Sequence, residues 1–576
     1  MERHLQILLY LEKRRLLADM KNSCEAFLKD INEKTVRKFP PIRFVLQLDV
    51  MELLDLFPDS GEFFIQEPLR WQQCCNDILF ACLKSLDNDM NQIVQPTQVA
   101  VIIRVKSLPC ILTMKQRKHK GIVSLRGLLV DMTRPTNYVY HTVWSCPDEC
   151  EGNEVIIHFI PKIPPKCYLC RNTLFENSGL RRCGDQVRAT FKLKNNLLPQ
   201  NYTIVDDLIS KLKVGKMYII NVVILKKLTS VWSVEESTVI PAPITTPLPS
   251  DIKELYEACN CVPWKFIYCL ASSIGLHICP LNCFMNVKIN LLLSLVSVKA
   301  NALNNSPIIH FLASGFDTGY VAKLMERAAL LADSYVFLGS THNSISTALI
   351  GGSGGVCVML LPLQTYSQSQ INSILSFIET GEITNALNKS KLQCAIWAHG
   401  MDLKKIVLYN IGSIFGSVCR GDYGDYADEL ADHVLEQAMA PTKIDKQEKQ
   451  ALKDISIYIE LVAGIKVSLA ENAEKLLRVY FLTARKERPK AVSIGNLGAL
   501  IATCATSARL CRRNVANNDD AVFAIWLHVS GMPEPRFAPD DYLETPADIK
   551  KLQKVIEKFY NWLEQFIGFR IYETQE

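Results

Sequence analysis

Helical periodicity of apolar residues dominates the first stretch of the chain. Leu5, Leu8 and Leu9 fall on one helical face, and the same spacing recurs in CCNDILFACLKSL. Spacings of three and four residues are typical of amphipathic helices. The pattern therefore predicts an N-terminal helical subdomain over residues 1–95.

Short β-rich runs replace this periodicity from about residue 97. The runs are QVAVIIRV, IVSLRGLLV, EVIIHFI, QVRATFKL and MYIINVVIL. Strands at this density, separated by turn residues, indicate a small barrel or sandwich, here over residues 96–236. The proline-rich VIPAPITTPLPSD cannot continue either pattern, so an extended linker is predicted over residues 237–254.

Strand and helix patterns alternate after the linker. SPIIHFLAS, GGVCVMLL and LQCAIWAHG are strand-like, and VAKLMERAALLAD and QSQINSILSFIETGE are helix-like. This alternation predicts a parallel α/β sheet over residues 255–440. The apolar run from Val356 to Leu361 suits a strand that is buried on both faces.

Helical patterns return over residues 450–530. A last segment, residues 540–576, carries an apolar stripe that fits either a docked core helix or a partner-binding one. The stripe comprises Leu552, Val555, Ile556, Phe559, Leu563 and Phe566. The predicted fold class is therefore multidomain α/β.

Net charge, the length of apolar runs and the cysteine content limit the classes of function that the chain can have. The formal net charge is only +5 on 576 residues, so a nucleic-acid site must be a local patch. The apolar run INLLLSLVSV is too short to cross a bilayer, and no membrane association is predicted. MERHLQILLYLEKRR does not resemble a secretory leader, so we expect most of the twenty cysteines to be reduced and buried.

Four of the cysteines have the spacing of a metal site. Cys146 and Cys150 form a C-x3-C pair, and sixteen residues later Cys167 and Cys170 form a C-x2-C pair. Two such pairs let four thiolates converge tetrahedrally, which predicts a structural zinc. His158 and Cys183 are alternative ligands, although His158 lies in an apolar run that favours a core histidine. Four unrelated buried thiols are the alternative without a metal.

Basic residues cluster in the same region. KQRKHKG is a compact positive run, and small barrels with positive grooves can follow a nucleic-acid backbone. Lysines that only maintain solubility would give the same pattern. The candidate DNA-binding residues are Lys115, Arg117, Lys118, Lys120, Arg188, Lys192 and Lys194.

The order of these parts resembles the minichromosome maintenance (MCM) family. The resemblance rests on IVSLRGLLV, the paired cysteines, GDQVRATFKL, the linker and GGVCV, with further similarity at ADELADHVLEQ and LGALIATCATSARL. It covers roughly residues 95–530. It implies an N-terminal helical subdomain, an OB-fold with a zinc ribbon, an AAA+ ATPase domain and a C-terminal helical lid.

The family's nucleotide-binding residues are missing at the matching positions. A phosphate-binding loop needs glycines, a lysine and a hydroxyl, but here the segment Gly315 to Lys323 reads GFDTGYVAK. Aligning DTG, which ends at Gly319, on the family's Asp-Pro-Gly puts Ala322 and Lys323 at the lysine and hydroxyl positions. A slip of one residue restores the lysine as Lys323 but puts Leu324 at the hydroxyl position, so the hydroxyl is missing in either alignment.

Four further features depart from the family pattern. Leu360 and Leu361 replace the acidic pair, and Gly495 stands where a sensor arginine is expected. No arginine finger is visible in LYNIGSIFGSV, and the polar sensor falls near His399 and Met401. We therefore expect an inactive ATPase domain that does not bind ATP, with the leucines packed as core residues.

The segments WKFIYCLASSIGLHICP, CYLC and the closing YLET and LEQFI resemble a divergent branch of the family that acts in meiotic recombination and crossover formation. This resemblance implies a nuclear, non-catalytic scaffold that binds DNA, single-stranded or as recombination intermediates, within a hetero-oligomer of MCM-like subunits. One alternative is a helicase subunit whose ATPase sites are completed by partners. Another is a stand-alone single-stranded-DNA-binding protein.

Overall fold

The computed structural model describes residues 2–33, 40–86, 95–109, 121–148, 150, 155–193, 199–224, 229–237, 246–259, 262–339, 345–384, 389–403, 405–439, 441–489, 491–546 and 548–571. The chain divides into two compact units, Met1–Ser237 and Thr238–Glu576. The finer domain limits given above remain predictions.

The first unit combines helices with two sheets. Its helices are α1 (Glu2–Lys13), α2 (Leu16–Glu33), α3 (Val50–Leu56), α4 (Pro58–Gln66) and α5 (Pro68–Leu86). Its strands are β1 (Ile42–Asp49), β2 (Val99–Lys106), β3 (Gly121–Met132), β4 (Thr136–Ser145), β5 (Val155–Ile157), β6 (Phe175–Glu176), β7 (Arg182–Leu193), β8 (Gln200–Val205), β9 (Met217–Ile224) and β10 (Thr229–Glu236).

A strand interrupts the region that was predicted to be helical. Strand β1 pairs in parallel with β2, in register from Ile42 opposite Val99. Ile42, Leu46 and Leu48 are buried, and this period of two is that of a strand. The helical prediction is therefore wrong for this segment. Strand β2, which was predicted to belong to the barrel, pairs with β1 in a separate two-stranded sheet.

The remaining strands of this unit form a curled antiparallel sheet. Its order is β10-β9-β3-β7-β4-β5, with β8 paired to β7 and β6 paired to β4. Strand β8 also lies against β10, so the sheet curves around its own core. A bulge between Leu129 and Asp131 in β3 adds the local bend that such curvature requires. The core includes Val123, Leu129, Phe191, Ile204 and Val222.

The second unit alternates helices and strands. Its helices are α6 (Ser250–Ala258), α7 (Pro263–Ser272), α8 (Met285–Asn304), α9 (Thr318–Ala329), α10 (Ile345–Gly351), α11 (Gln368–Thr380), α12 (Lys405–Phe415), α13 (Ala427–Met439), α14 (Pro441–Ala463), α15 (Glu471–Glu487), α16 (Ile494–Leu510), α17 (Asn518–Ser530) and α18 (Ile549–Ile567). Its strands are β11 (His310–Ser314), β12 (Tyr335–Leu338), β13 (Val356–Met359), β14 (Glu382–Thr384), β15 (Lys389–Lys391), β16 (Ala395–Gly400), β17 (Gly416–Arg420), β18 (Ser468–Leu469) and β19 (Val515–Ala516).

Five of these strands form a sheet in the order β12-β13-β16-β11-β17, and every pair is parallel. The predicted parallel α/β arrangement is thus confirmed. All five carboxyl ends lie along one edge, where open α/β sheets bind their ligands. The Trp397 indole N–H on β16 donates to Ser294 Oγ on α8 (2.8 Å), which fixes the sheet against that helix.

Helix α18 settles the alternative left open for the last segment. Its apolar stripe is buried, with Leu552, Ile556, Phe559 and Leu563 at most 5% exposed. Asp548 caps its first turn and Gly568, with a φ of +76°, ends it. The helix is therefore a docked part of the second unit's core.

Across the ranges that the structure describes, no helix is both long enough and apolar enough to cross a membrane.

Candidate functional site

The four predicted cysteines come together at one end of the curled sheet. Cys146 follows β4, and a hairpin brings Cys167 and Cys170 back toward it. The four sulfur atoms lie within 4.8 Å of one another. Trp144 and Leu174 pack against Cys146 and Cys167 and close the site from the sheet side.

The donor set fits a metal ion such as zinc. Cys146 Sγ lies 3.7 Å from Cys150 Sγ and 3.3 Å from Cys170 Sγ. Zn–S bonds of about 2.3 Å in a tetrahedron require sulfur separations of about 3.8 Å, whereas a disulfide bond is only about 2.05 Å long. The four thiols could therefore bind a metal with small adjustments.

One thiol is already biased toward the form that binds metal. Burial alone would raise the pKa of the Cys167 thiol, but a hydrogen bond from the Cys170 backbone N–H (3.3 Å), with contributions from the Cys170 and Cys146 thiols, lowers it to about 7. A thiolate is the form of cysteine that binds metal, so Cys167 favours that form, whereas hydrogen bonding with the Cys146 thiol raises the pKa of Cys150.

The alternative ligands lie elsewhere. His158 is exposed, and its Nδ1 lies 3.3 Å from the Tyr140 carbonyl, so the prediction of a core histidine is wrong. The strand before it is only Val155–Ile157, too short to bury the following residue. Cys183 is exposed on β7 and does not belong to the cluster.

The structure locates only part of the predicted DNA-binding set. Lys115, Arg117, Lys118, Lys120 and Lys194 lie outside the described residues. Arg188 and Lys192 lie on β7 and alternate with the buried Val187, Ala189 and Phe191. Because strand side chains alternate between faces, both basic residues project away from the core.

Three aromatic residues of β4 with rings that could stack on nucleic-acid bases have internal partners. Tyr138 donates to Asp206 (2.7 Å) and also accepts from the Arg43 guanidinium (3.3 Å). The same guanidinium lies 4.1 Å above the Tyr140 ring, while Trp144 is buried. Sequence reasoning missed this cluster because Arg43 and Asp206 are 163 residues apart.

The place of the phosphate-binding loop is taken by a very short connection. Only Gly315, Phe316 and Asp317 separate β11 from α9. The Asp317 carboxylate accepts hydrogen bonds from the backbone N–H groups of Gly319 (2.8 Å) and Tyr320 (3.3 Å). The first free N–H groups of α9 are therefore satisfied by the chain's own carboxylate.

This connection packs tightly against the next loop of the sheet edge. Gly315 has a φ of +88°, and a Cβ there would lie 2.1 Å from the Gly421 carbonyl oxygen. The Phe316 ring in turn lies against Gly421, and it meets the Phe284 ring edge-on at 5.8 Å. The space after β11 is thus occupied by backbone and aromatic rings.

Ala322 and Lys323 both lie within α9. Ala322 is half-buried, and the Lys323 ammonium lies 5.7 Å from the Tyr320 ring centroid. Lys323 points into a cleft of about 590 Å³ between α9 and α13, which His277 and Arg327 also line. Sequence reasoning missed the carboxylate beside this cleft: the fully buried Glu448 accepts from Arg327 Nε (2.8 Å) and pairs with His277.

Leu360 and Leu361, which stand where the resemblance implies an acidic pair, are less buried than predicted. Strand β13 ends at Met359, so Leu360 and Leu361 follow it, and Leu361 is 37% exposed. The expectation that both pack as core residues is therefore wrong for Leu361, because the run turns out of the sheet at Pro362. The Leu360 carbonyl accepts from His399 Nε2 (3.2 Å), and burial lowers the pKa of that histidine.

Gly495 lies at the start of α16. A Cβ at this position would approach the Ser413 carbonyl oxygen to 2.5 Å. Here the glycine permits close packing between α16 and the end of α12, and an arginine could not occupy the same backbone position without moving one of the two helices.

Comparisons with known proteins agree with the resemblance found in the sequence. The family described as "MCMDC2, N-terminal domain" matches residues 3–108. Minichromosome maintenance domain-containing protein 2 of Rattus norvegicus is 20% identical, over 90% of this chain and 89% of the relative. The proteins of the same name from Mus musculus and Homo sapiens are 19% and 20% identical with the same coverage.

Proposed function

We propose that this chain, a divergent member of the minichromosome maintenance family as the family match and the relatives support, is a non-catalytic scaffold in meiotic homologous recombination. In this proposal it acts in the nucleus, binds DNA through its first unit and joins other MCM-like subunits through its second. Its curled sheet would be an OB-fold carrying a zinc ribbon. Its parallel sheet would be an AAA+ domain that no longer hydrolyses ATP.

The main support for this proposal is the connection between β11 and α9. A phosphate-binding loop surrounds phosphate with free backbone N–H groups and needs several residues between strand and helix. Here three residues are available, and Asp317 already accepts from Gly319 and Tyr320. A phosphate would have to displace this carboxylate and would be repelled by it, since both are anionic.

The residues around this connection also support the proposal that the domain does not hydrolyse ATP. Magnesium prefers oxygen ligands, and Leu360 and Leu361 offer none from their side chains. Phosphoryl transfer depends on positioned cations, and loss of one such group costs a factor of about 10³–10⁵. ATP hydrolysis at this edge of the sheet would therefore have neither magnesium ligands from these two side chains nor a phosphate-binding loop.

The test is nucleotide binding by the purified full-length chain. Isothermal titration with ATP and magnesium should show no saturable heat, while a functional P-loop ATPase in the same buffer serves as the positive control. A dissociation constant in the micromolar range would overturn the proposal.

The first unit supplies the DNA-binding part of the proposal. Arg188 and Lys192 project from the outer side of the curled sheet, and small barrels bind single strands through such positive surfaces. The four cysteines would hold zinc as a closed structural site, which stabilises the fold without chemistry of its own.

The meiotic assignment rests on the family resemblance found in the sequence, and similarity over nine tenths of the chain to minichromosome maintenance domain-containing protein 2 supports the family part of it. Affinity purification of the tagged chain from meiotic tissue should recover MCM-like subunits and recombination proteins. Recovery of the replicative helicase in their place would contradict it.

A further inference from the structure

Residues 163–175 form a hairpin that carries the second half of the cysteine cluster. Lys166 pairs with Thr173, and the backbone N–H of Leu174 donates to the Pro165 carbonyl (2.9 Å). Cys167 and Cys170 lie at its tip. We refer to residues 163–175 as the knuckle hairpin.

The knuckle hairpin displays large apolar side chains to solvent. Ile163 is 81% exposed, Tyr168 76%, Leu169 54% and Phe175 52%. A single exposed apolar residue is ordinary on a protein surface. Four on one short hairpin are not, and exposed apolar groups gathered in this way mark interaction sites.

These side chains are not needed for the hairpin's own core. Leu174 and Cys167 are at most 2% exposed and fill the space against Trp144. A metal bound to Cys167 and Cys170 would fix both ends of the tip, so Tyr168 and Leu169 between them could project outward on a rigid support.

The charge of the knuckle hairpin has one sign. Lys166 and Arg171 are exposed, and the sequence IPPKCYLCRNTLF contains no acidic residue. The segment just before it adds exposed Phe159, Ile160 and Lys162. Asp148, in the other half of the cysteine cluster, accepts a hydrogen bond from the Asn172 side-chain amide.

The composition of this surface favours a protein partner over nucleic acid. Binding of single strands depends on aromatic rings that stack on bases. Tyr168 and Phe175 offer such rings, but Ile163, the most exposed of the four, and Leu169 are aliphatic and have no aromatic face. Protein interfaces, by contrast, combine buried apolar and aromatic anchors with a charged rim.

We propose that the knuckle hairpin is a docking site for a partner segment in which acidic residues flank large apolar side chains. Tyr168 and Leu169 bind the apolar side chains, and Lys166 and Arg171 face the carboxylates. This proposal rests on the scaffold function proposed above and adds where on this chain one partner binds and which residue types that partner presents. ATP binding does not enter its test, and DNA enters only as a probe whose binding at this surface would contradict the proposal.

The experiment measures binding to the full-length, zinc-loaded chain by fluorescence anisotropy. The probes are short labelled peptides in which glutamate alternates with leucine and phenylalanine, matched peptides with lysine for glutamate, and an oligo-thymidine. We expect the acidic peptides to bind best, and Y168A/L169A to weaken them at least about tenfold. K166E/R171E should weaken the acidic peptides and strengthen the lysine peptides.

The matched control is Y423A/L482A, which removes two comparably exposed apolar side chains in the second unit. It should bind the acidic peptides like the wild type. Zinc content and the thermal melting curve of each variant separate loss of docking from loss of folding.

Three results would overturn the proposal. The first is absence of acidic-peptide binding, and the second is acidic-peptide binding that Y168A/L169A does not weaken. The third is loss of oligo-thymidine binding or of self-association in Y168A/L169A, because that would assign the surface to nucleic acid or to a second copy of the chain. Each can occur whether or not the chain binds ATP.

Discussion

Individual residues determine whether the first unit can hold a metal. The spacing of Cys146, Cys150, Cys167 and Cys170 predicts the set, because short pairs of thiols on turns are favourable for tetrahedral coordination. The structure adds what spacing cannot give: the sulfur separations, and the hydrogen bond from the Cys170 backbone N–H to Cys167 Sγ. It also shows that His158 is exposed, since the strand that precedes it ends at Ile157.

Replacing one ligand should release the metal. C167S removes a thiolate that donates charge to the ion, so we expect the zinc content to fall from about one per chain toward zero and the first unit to melt at a lower temperature. Atomic absorption and thermal denaturation measure the two effects.

The control for this substitution is C183S, which alters an exposed cysteine outside the cluster. It should leave the zinc content unchanged. Zinc retained in C167S, or lost equally in both variants, would contradict a site made of these four cysteines. Acidification should release the ion from the wild type, because protons compete with metal for thiolates.

At the scale of elements, the cap of α9 has two consequences. Asp317 satisfies two N–H groups at the helix start, and a cap of this kind stabilises a helix by about 0.5–2 kcal/mol. It also occupies the donors that a phosphate would need. Local patterns predict a helix in this segment correctly. Whether its first turn binds a phosphate or its own carboxylate depends on the length of the preceding connection.

Substitutions at Asp317 test the cap. D317A should lower the free energy of unfolding by about 1 kcal/mol, because two N–H groups lose their acceptor. Chemical denaturation monitored by tryptophan fluorescence measures the change.

D317N is the matched control, since asparagine caps helices as well as aspartate does but carries no charge. It should keep most of the stability. Equal loss in both variants would mean that the charge, not the hydrogen bonds, stabilises α9.

Across the whole molecule, sequence patterns predict the elements that depend on neighbouring residues, whereas contacts between distant segments are seen only in the structure. Periodicity predicts the parallel sheet of the second unit, the β-rich character of the first and the stripe of α18, because each depends on residues close in sequence. It does not predict β1, whose partner β2 is more than fifty residues away. Nor does it predict the ion pairs of Arg43 with Asp206 and of Arg104 with Asp207, which join the segment of β1 and β2 to the curled sheet.

DNA binding by the whole chain should depend on the outer face of β7. R188A/K192A removes two positive charges that project from the sheet. If each contacts a phosphate, the slope of log K against log salt for a single strand should become shallower by about 1.4, with weaker binding at every salt concentration. Fluorescence anisotropy over a salt series measures both.

R478A/K486A provides the control, because it removes two exposed positive charges from α15 in the second unit. Its salt slope should match that of the wild type. A wild-type slope in R188A/K192A would place the DNA contacts elsewhere, and an equal change in both variants would indicate a general effect of net charge.

The three-residue connection after β11 also bears on what it would take to build a nucleotide site at this sheet edge. Acidic residues at positions 360 and 361 and a lysine at position 322 would supply side chains but would not lengthen the connection, and Phe316 would still fill the space beside Gly421. An engineered site would therefore need residues inserted into the backbone as well as substituted, so we expect point mutation alone not to create one.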